Sequence, residues 1–369
     1  MNRGFSRSCR GTYRLVICLL LLVQVLFVSL QTIYAQQPSY QGKTLRIVVS
    51  SAAGGGSDTT ARIIARHLPR YIAGSPAIIV ENMPGGGDVV GINYVYNIAK
   101  PDGLTLLFST GAPITQLLNP PEMKFDALKM LFVGGSSESV AAFIRNDKTG
   151  VKSVSDLAKP TGPIVLGGSQ VGSLKDISLL VAMNLLGVKT KYVTGYGGSG
   201  PARLAFERGE INFTQESAAT VTSTVMRWAK EGWTSFLYQV GFLRAGGTVI
   251  KDPVWNKLGL DLPTVGEAYK MLYSKEPSGP AWEAAKALAG GYSLTRMMAF
   301  SPGVSVERVS ELRAAFKSMT LDPGFQEELQ KRGSAAQFLL GDEAQDVAAT
   351  IINSPSEAVA LLRKLATLQ

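Results

Sequence analysis

The stretch that most constrains this chain is Leu45–Asp58, reading Leu-Arg-Ile-Val-Val-Ser-Ser-Ala-Ala-Gly-Gly-Gly-Ser-Asp. A β-branched run gives way to small residues and three glycines, and an acid-capped helical pattern follows at once. Glycine admits positive φ and lets a ligand approach the main chain. Ser57 or Asp58 suits the N-cap of the next helix, whose free N–H groups and positive dipole end favour an anion. Leu45–Asp58 therefore reads as one wall of an anion-binding cleft. Taken alone, it reads equally well as an ordinary strand-to-helix turn.

The N-terminal residues have a separate logic. Arg3, Arg7, Arg10 and Arg14 precede an apolar run from Leu15 to Leu30, with Tyr34-Ala35 as a small-residue exit before Gln36. That pattern is a secretory leader over 1–35, with an uncleaved anchor as the alternative. It places the protein in the periplasm. Cys9 and Cys18 leave with the leader, which removes disulfide, thiol and cysteine-metal chemistry. Of 37 basic residues four also go, so 33 remain against 28 acids, and the formal charge falls from +9 to +5. No basic run interleaves with aromatics, so nucleic acid is not an expected partner, while the mild positive charge favours small anions. About 330 residues remain, ample for two domains.

Short apolar runs then alternate with helix-period segments, the pattern of an α/β fold with largely parallel sheets. Leu45–Ser50, Ala77–Val80 and Leu104–Ser109 read as strands, with Val140–Ile144 leading away from this first unit. A second unit follows, with strands at Pro163–Gly167, Lys191–Thr194, Glu210–Thr214 and Ser235–Val240. Helices are expected at Ser57–Tyr71, from Ser173 to about Leu186, at Pro201–Arg208 and at Ala218–Lys230. The tail reads as helices opened by Ser305 and Asp322-Pro323, and by a capping box at Ser354-Pro355-Ser356-Glu357. Lys270–Ser301 has no clear pattern.

Absences narrow the chemistry. His67 is the one histidine, on the inward stripe of a helix, so it reads as a core residue rather than a base. No zinc set exists without a second histidine or a cysteine. The nearest nucleophile elbow, Gly197-Gly198-Ser199-Gly200-Pro201, ends in proline. Gly85, Gly87 and Gly91 miss the dinucleotide spacing by one residue. No catalytic residues, cofactor or metal are therefore expected. What recurs is a set of small-residue loops at the C-terminal ends of strands: Ser50–Asp58, Thr110-Gly111, Gly167–Ser173 and Thr214–Ser217. In open α/β sheets ligands bind at that edge.

These residues, taken in order, resemble the substrate-binding proteins of tripartite tricarboxylate transporters, the Bug family of extracytoplasmic receptors. The resemblance runs from about Tyr40 to near the C-terminus. It rests on Gly54-Gly55-Gly56-Ser57-Asp58 with Ala61-Arg62, on Val80-Glu81-Asn82-Met83-Pro84-Gly85, and on Pro101-Asp102-Gly103-Leu104-Thr105-Leu106-Leu107. It continues through Val151–Leu157, Tyr196–Ala202 and Leu262–Ala268.

The resemblance implies a type II periplasmic-binding-protein fold, two α/β lobes joined by two crossings. Lobe 1 would be discontinuous, 41–144 with 239–369, and lobe 2 would be 145–238. The family's ligands are mostly small carboxylates, held by main-chain N–H groups, hydroxyls and waters more than by arginines. By position, contacts would come from Ala53, Gly54, Gly55, Gly56, Ser57, Asp58, Thr110 and Gly111 of lobe 1. Lobe 2 would contribute Ser169, Gln170, Val171, Gly172, Ser173, Tyr196 and Glu216. A monomer handing a small organic anion to membrane transporter subunits is implied, with a sensing adaptor or an exported enzyme as alternatives. The chain departs from the family pattern at Ser51-Ala52-Ala53, usually proline-rich, at Gly197, commonly lysine, and at Glu216, often aspartate. Lys270–Ser301 is also longer than the usual connection.

Overall fold

The computed structural model describes residues 40–54, 56–168, 171–331 and 337–368. The leader, and the expected site residues Gly55, Ser169 and Gln170, lie outside the described residues.

Three strand–helix units come first. β1 (Thr44–Val49) feeds α1 (Gly56–His67), β2 (Ala77–Asn82) feeds α2 (Val89–Asn97), and β3 (Thr105–Ser109) feeds α3 (Ala112–Leu118). β4 (Leu131–Ser137) precedes β5 (Val140–Arg145), which belongs to another sheet. There follow β6 (Val165–Gly167), α4 (Leu174–Leu185), β7 (Lys191–Val193), α5 (Ser199–Arg208), β8 (Phe213–Ser217) and β9 (Thr234–Gln239). A short hairpin, β10 (Phe242–Leu243) and β11 (Val249–Ile250), leads to α6 (Val265–Tyr273), α7 (Pro280–Ser293) and β12 (Arg296–Phe300). The chain ends with α8 (Val306–Thr320), α9 (Pro323–Lys331), β13 (Gln337–Leu340), α10 (Gly341–Ile352) and α11 (Ser356–Ala366).

Two mixed sheets result, ordered β13-β4-β12-β3-β1-β2 and β7-β6-β8-β5-β9. β1, β2 and β3 are parallel, as are β6, β7 and β8. The α/β class is as expected, but the sheets are less uniformly parallel than the sequence suggests. β12 runs antiparallel to β3 and β4, and β5 runs antiparallel to β8 and β9. β5 follows β4 with no helix between them, and β12 carries the chain back into the first sheet after α7.

The expected break near Ile144 falls inside β5, which pairs with β8 from Val140 to Ile144. Trp255 and Leu262 pack with Phe143, Phe206 and Trp228 of the second sheet's core, although they follow β9. The lobe limits 41–144 with 239–369, and 145–238, therefore stand as a proposal to be shifted at both crossings. Helix α7 packs on α4 from one unit and on α10 and α11 from the other. A continuous apolar cluster follows, including Leu107, Leu179, Leu288 and Leu362. At about 25 cal/mol per Å² of apolar surface, burial on this scale dominates what holds the units together.

Some expected elements differ. Strand β8 lies three residues later than expected, at Phe213–Ser217. Asn212 just before it still bonds Arg145 N–H and Val165 carbonyl through its main chain, while its side chain holds Val165 N–H and Pro163 carbonyl. The helix over Ala218–Lys230 contains a π turn at Val221–Val225. Ser354-Pro355-Ser356-Glu357 forms no capping box. Ser354 Oγ instead donates back to Ile351 carbonyl at 2.6 Å, and Pro355 stands at the cap. β4 went unseen because Gly134-Gly135 reads as a turn. Its Gly134 is needed there, since a side-chain carbon would meet the Phe316 ring of α8 at 2.4 Å.

Candidate functional site

Strand β1 ends at Val49, and the chain turns through Gly54 at φ +81° before α1 begins at Gly56. Asp58, in the first helical turn, reaches back to accept the Gly54 N–H at 2.9 Å. Its other oxygen lies 2.9 Å from Arg62 Nη2. Arg62 also donates to Asn82 Oδ1, whose amide donates to Ser51 carbonyl at 3.0 Å. The Arg62 guanidinium, with the Gly54 N–H, holds the Asp58 carboxyl below its ordinary range despite burial. Asp58 is thus the clasp of the loop, its Oδ2 accepting from Gly54 N–H and Arg62 Nε and its Oδ1 ion-paired with Arg62.

The neighbouring loops meet this one. Ser57 Oγ lies 3.4 Å from Thr110 Oγ1. Gly111, at φ +73°, turns the chain into α3. Asp88 precedes α2 in a left-handed conformation and accepts the Thr110 N–H at 3.3 Å. Burial raises its carboxyl above the ordinary value, against the opposing Thr110 N–H and Ser50 hydroxyl. Arg296, at the start of β12, reaches the first residue of α1 and pairs with Glu138 at 2.8 Å.

The second unit presents α4. Ser173 caps it, its Oγ accepting the Asp176 N–H at 3.2 Å. The Asp176 carboxylate is fully buried and accepts from Ser173 Oγ, Tyr192 hydroxyl and Thr194 Oγ1 at 2.9, 2.6 and 2.9 Å. That acceptor fixes where Gly172-Ser173 stands. Beside it, Glu216, the penultimate residue of β8, pairs with Lys175 at 2.8 Å and Arg203 at 3.4 Å. Lys175 also donates to Ser199 Oγ at the start of α5.

A cleft of about 440 Å³ lies between the units. Gly86, Gly87, Asp88, Thr110 and Gly111 line one side, and Val171, Gly172 and Ser173 the other. The structure therefore brings together Thr110, Gly111, Val171, Gly172 and Ser173, with Ser57 adjoining through Thr110. Ala53 and Gly54 are exposed and do not line this cleft. Tyr196 packs against the apolar cluster of the second sheet. Glu216 carries two cations and is only 5% exposed.

Six residues at the site escape the sequence reading. Gly86 and Gly87 lie in a glycine run weighed only against the dinucleotide spacing, and Asp88 follows it. Lys175 and Arg203 look like ordinary exposed helix residues in sequence, and Arg296 lies in the stretch that resisted reading. His67 is buried, with Nε2 2.8 Å from Glu328 and its ring edge-on to Phe325. Among the described residues no group of three or more His, Cys, Asp or Glu could hold a metal. None of the described helices is long and apolar enough to cross a membrane.

No family model matches the chain. It is 29% identical over 196 residues to a UPF0065 protein from the TAR-I ttuE-ttuC' intergenic region of Agrobacterium vitis, covering 51% of this chain and 55% of that one. It is 28% identical over 172 residues to BugT of Bordetella pertussis, covering 44% and 51%. The chain thus matches about half the length of these curated relatives. Among solved structures, a TctC solute-binding protein from Polaromonas aligns with TM-score 0.66 at 21% identity, over 88% of this chain and all of that one. An R. palustris protein with adipate aligns with TM-score 0.55 at 21% identity, over 87% and 97%. The chain is thus similar in sequence to Bug proteins, and it has the two-lobed type II fold of periplasmic solute-binding proteins such as TctC.

Proposed function

We propose that this protein is a periplasmic solute receptor. It captures a small carboxylate between its two lobes by closure and delivers it to a tripartite tricarboxylate-type membrane transporter. The observation that carries this reading is the cleft itself, where Thr110-Gly111 faces Gly172-Ser173 across about 440 Å³. Small residues there leave main-chain N–H groups and hydroxyls accessible, and helix starts favour an anion. Closure of the two walls would remove the ligand from water and strengthen each of those contacts. The R. palustris protein of similar fold holds adipate, which supports the ligand class.

The reading is of a binding protein and not an enzyme. The cleft lining offers hydroxyls and one carboxyl, with no base placed on a nucleophile. The receptor acts as a monomer, without nucleic acid, its partners being the ligand and the transporter's membrane subunits.

Thermal-shift screening of the purified protein against mono-, di- and tricarboxylates, amino acids and aromatic acids tests this. A ligand at 100 times its Kd should add about 2.7 kcal/mol and raise the Tm by several degrees. If no anion at millimolar concentration moves the Tm, the receptor reading fails.

A further inference from the structure

Asp88 stands where the backbone favours glycine. Gly86, Gly87 and Asp88 follow one another at φ +57°, +60° and +78°, a conformation that an L side chain enters only at a cost. Aspartate tolerates it better than most residues, but the usual reason for an acid before a helix is missing. Asp88 immediately precedes α2, yet its side chain accepts no N–H of that helix. It turns away and accepts the Thr110 N–H at 3.3 Å. Ser50, 1% exposed, lies beside the same carboxyl, and its Oγ finds no partner at hydrogen-bonding geometry among the described residues.

The charge around Asp88 is also one-sided. Among the described residues that line the cleft of about 440 Å³, Asp88 is the one that carries a charge, and no lysine or arginine joins it. The cations of the surrounding elements are paired elsewhere: Arg62 with Asp58, Lys175 and Arg203 with Glu216, Arg296 with Glu138. A half-buried carboxylate with one long hydrogen bond and no cation bears a desolvation cost that its own contacts do not offset. A residue held in a sparsely populated conformation, with its charge unpaired and facing a cleft, points to function rather than to folding.

We propose that Asp88 is the specificity-determining residue of this cleft and takes a cationic nitrogen of the ligand, so that the solute is an amino acid. This rests on the receptor reading and narrows its ligand class from carboxylates in general to those with an ammonium group. Asp88 already holds the Thr110 N–H, so this wall offers an acceptor where a plain carboxylate would need a donor. An ammonium supplies the missing counter-charge and up to three N–H donors. The ligand's own carboxylate then turns to the facing wall, Gly172 to Leu174, where the 12-residue α4 begins. A dicarboxylate without the nitrogen sets two like charges together, which costs affinity.

Calorimetric titration of wild type, Asp88→Asn and Asp88→Gly tests the proposal with ligand pairs that differ only in the α-ammonium. The pairs are 2-aminoadipate and adipate, glutamate and glutarate, aspartate and succinate, alanine and propionate. Wild type should bind the amino acid of at least one pair tenfold or more tighter than its partner. Asp88→Asn keeps the shape and an acceptor for Thr110. It should weaken that amino acid at least tenfold and leave the plain acid unchanged or tighter. Asp88→Gly should erase the preference in the same way without lowering the Tm, since glycine suits the left-handed backbone. Should Asp88→Asn fail to fold, Asp88→Gly decides. An Asp88 that only holds the Thr110 turn predicts an unchanged ratio in Asp88→Asn and equal weakening of both acids in Asp88→Gly; either result overturns the proposal. So does a wild type that prefers the plain acids. If wild type binds no acid at all, in these pairs or in the wider screen, the receptor reading itself falls; binding of plain acids alone sinks only this inference.

Discussion

Lys175 Nζ donates to Glu216 Oε1 across 2.8 Å, tying the first turn of α4 to the end of β8. Arg203 reaches the same oxygen at 3.4 Å. With the neighbouring Asp176 carboxylate, two cations face two carboxylates on this wall, so removing the Glu216 charge leaves it positive. The pair is nearly buried, so screening by salt is weak.

Glu216→Gln should therefore favour anionic ligands. Relative to wild type, the affinity ratio of adipate to 2-aminoadipate should rise about tenfold, or about 1.4 kcal/mol. Calorimetry on both ligands measures it, and an unchanged ratio would remove Glu216 from the site.

Asp58→Ala should destabilise the fold. It frees the Gly54 N–H and leaves Arg62 without its carboxylate, holding only Asn82. Loss of a cap of this kind costs about 1–2 kcal/mol. Asp58→Asn, which can still accept from Gly54, should lose less. Equal melting temperatures for the alanine variant and wild type would contradict the clasp.

Asp176→Ala should cost more, about 3 kcal/mol. Three hydroxyls lose a shared buried acceptor at once. Urea titration reads the stability. Hydrogen exchange should show Gly172-Ser173 opening first, since Asp176 is what holds that turn. Wild-type protection there would show that other contacts suffice.

Asp252 gives a pH dependence. It is buried between the two crossings, where it accepts from Ser139 and Val254 N–H, and its own N–H donates to Gln239. Burial pushes its carboxyl up to about 6 from 3.8, those N–H groups opposing, with Glu138 raising it and Lys257 lowering it. A raised folded-state pKa favours the protonated acid on folding. Its contribution is complete below pH 3.8 and is lost as pH rises through 6. The loss amounts to about 3 kcal/mol. Wild type should lose stability between pH 4 and 7 relative to Asp252→Asn in paired urea titrations. Parallel profiles would refute this.

Much of the architecture was legible because strand and helix periods are local. Leu45–Ser50 alternates with an amphipathic segment, and α1 follows within a residue of where its cap signals place it. The cleft loops Thr110-Gly111 and Val171–Ser173 were legible for a similar reason: small residues after a strand mark a turn. β4 and β12 were not. Gly134-Gly135 mimics a turn until the Phe316 ring is seen against it, and β12 is a central strand only because distant neighbours flank it.

The division between sequence and fold follows range. Local pattern alone determined an α/β chain with donor-rich loops at its strand ends and almost no catalytic inventory. Tertiary structure decided which charges face those loops. Arg296 reaches Gly56 from 240 positions away, and Lys175 and Arg203 neutralise the Glu216 that seemed free to bind. Ion pairs between side chains depend on distance in space, and no spacing along the chain records it.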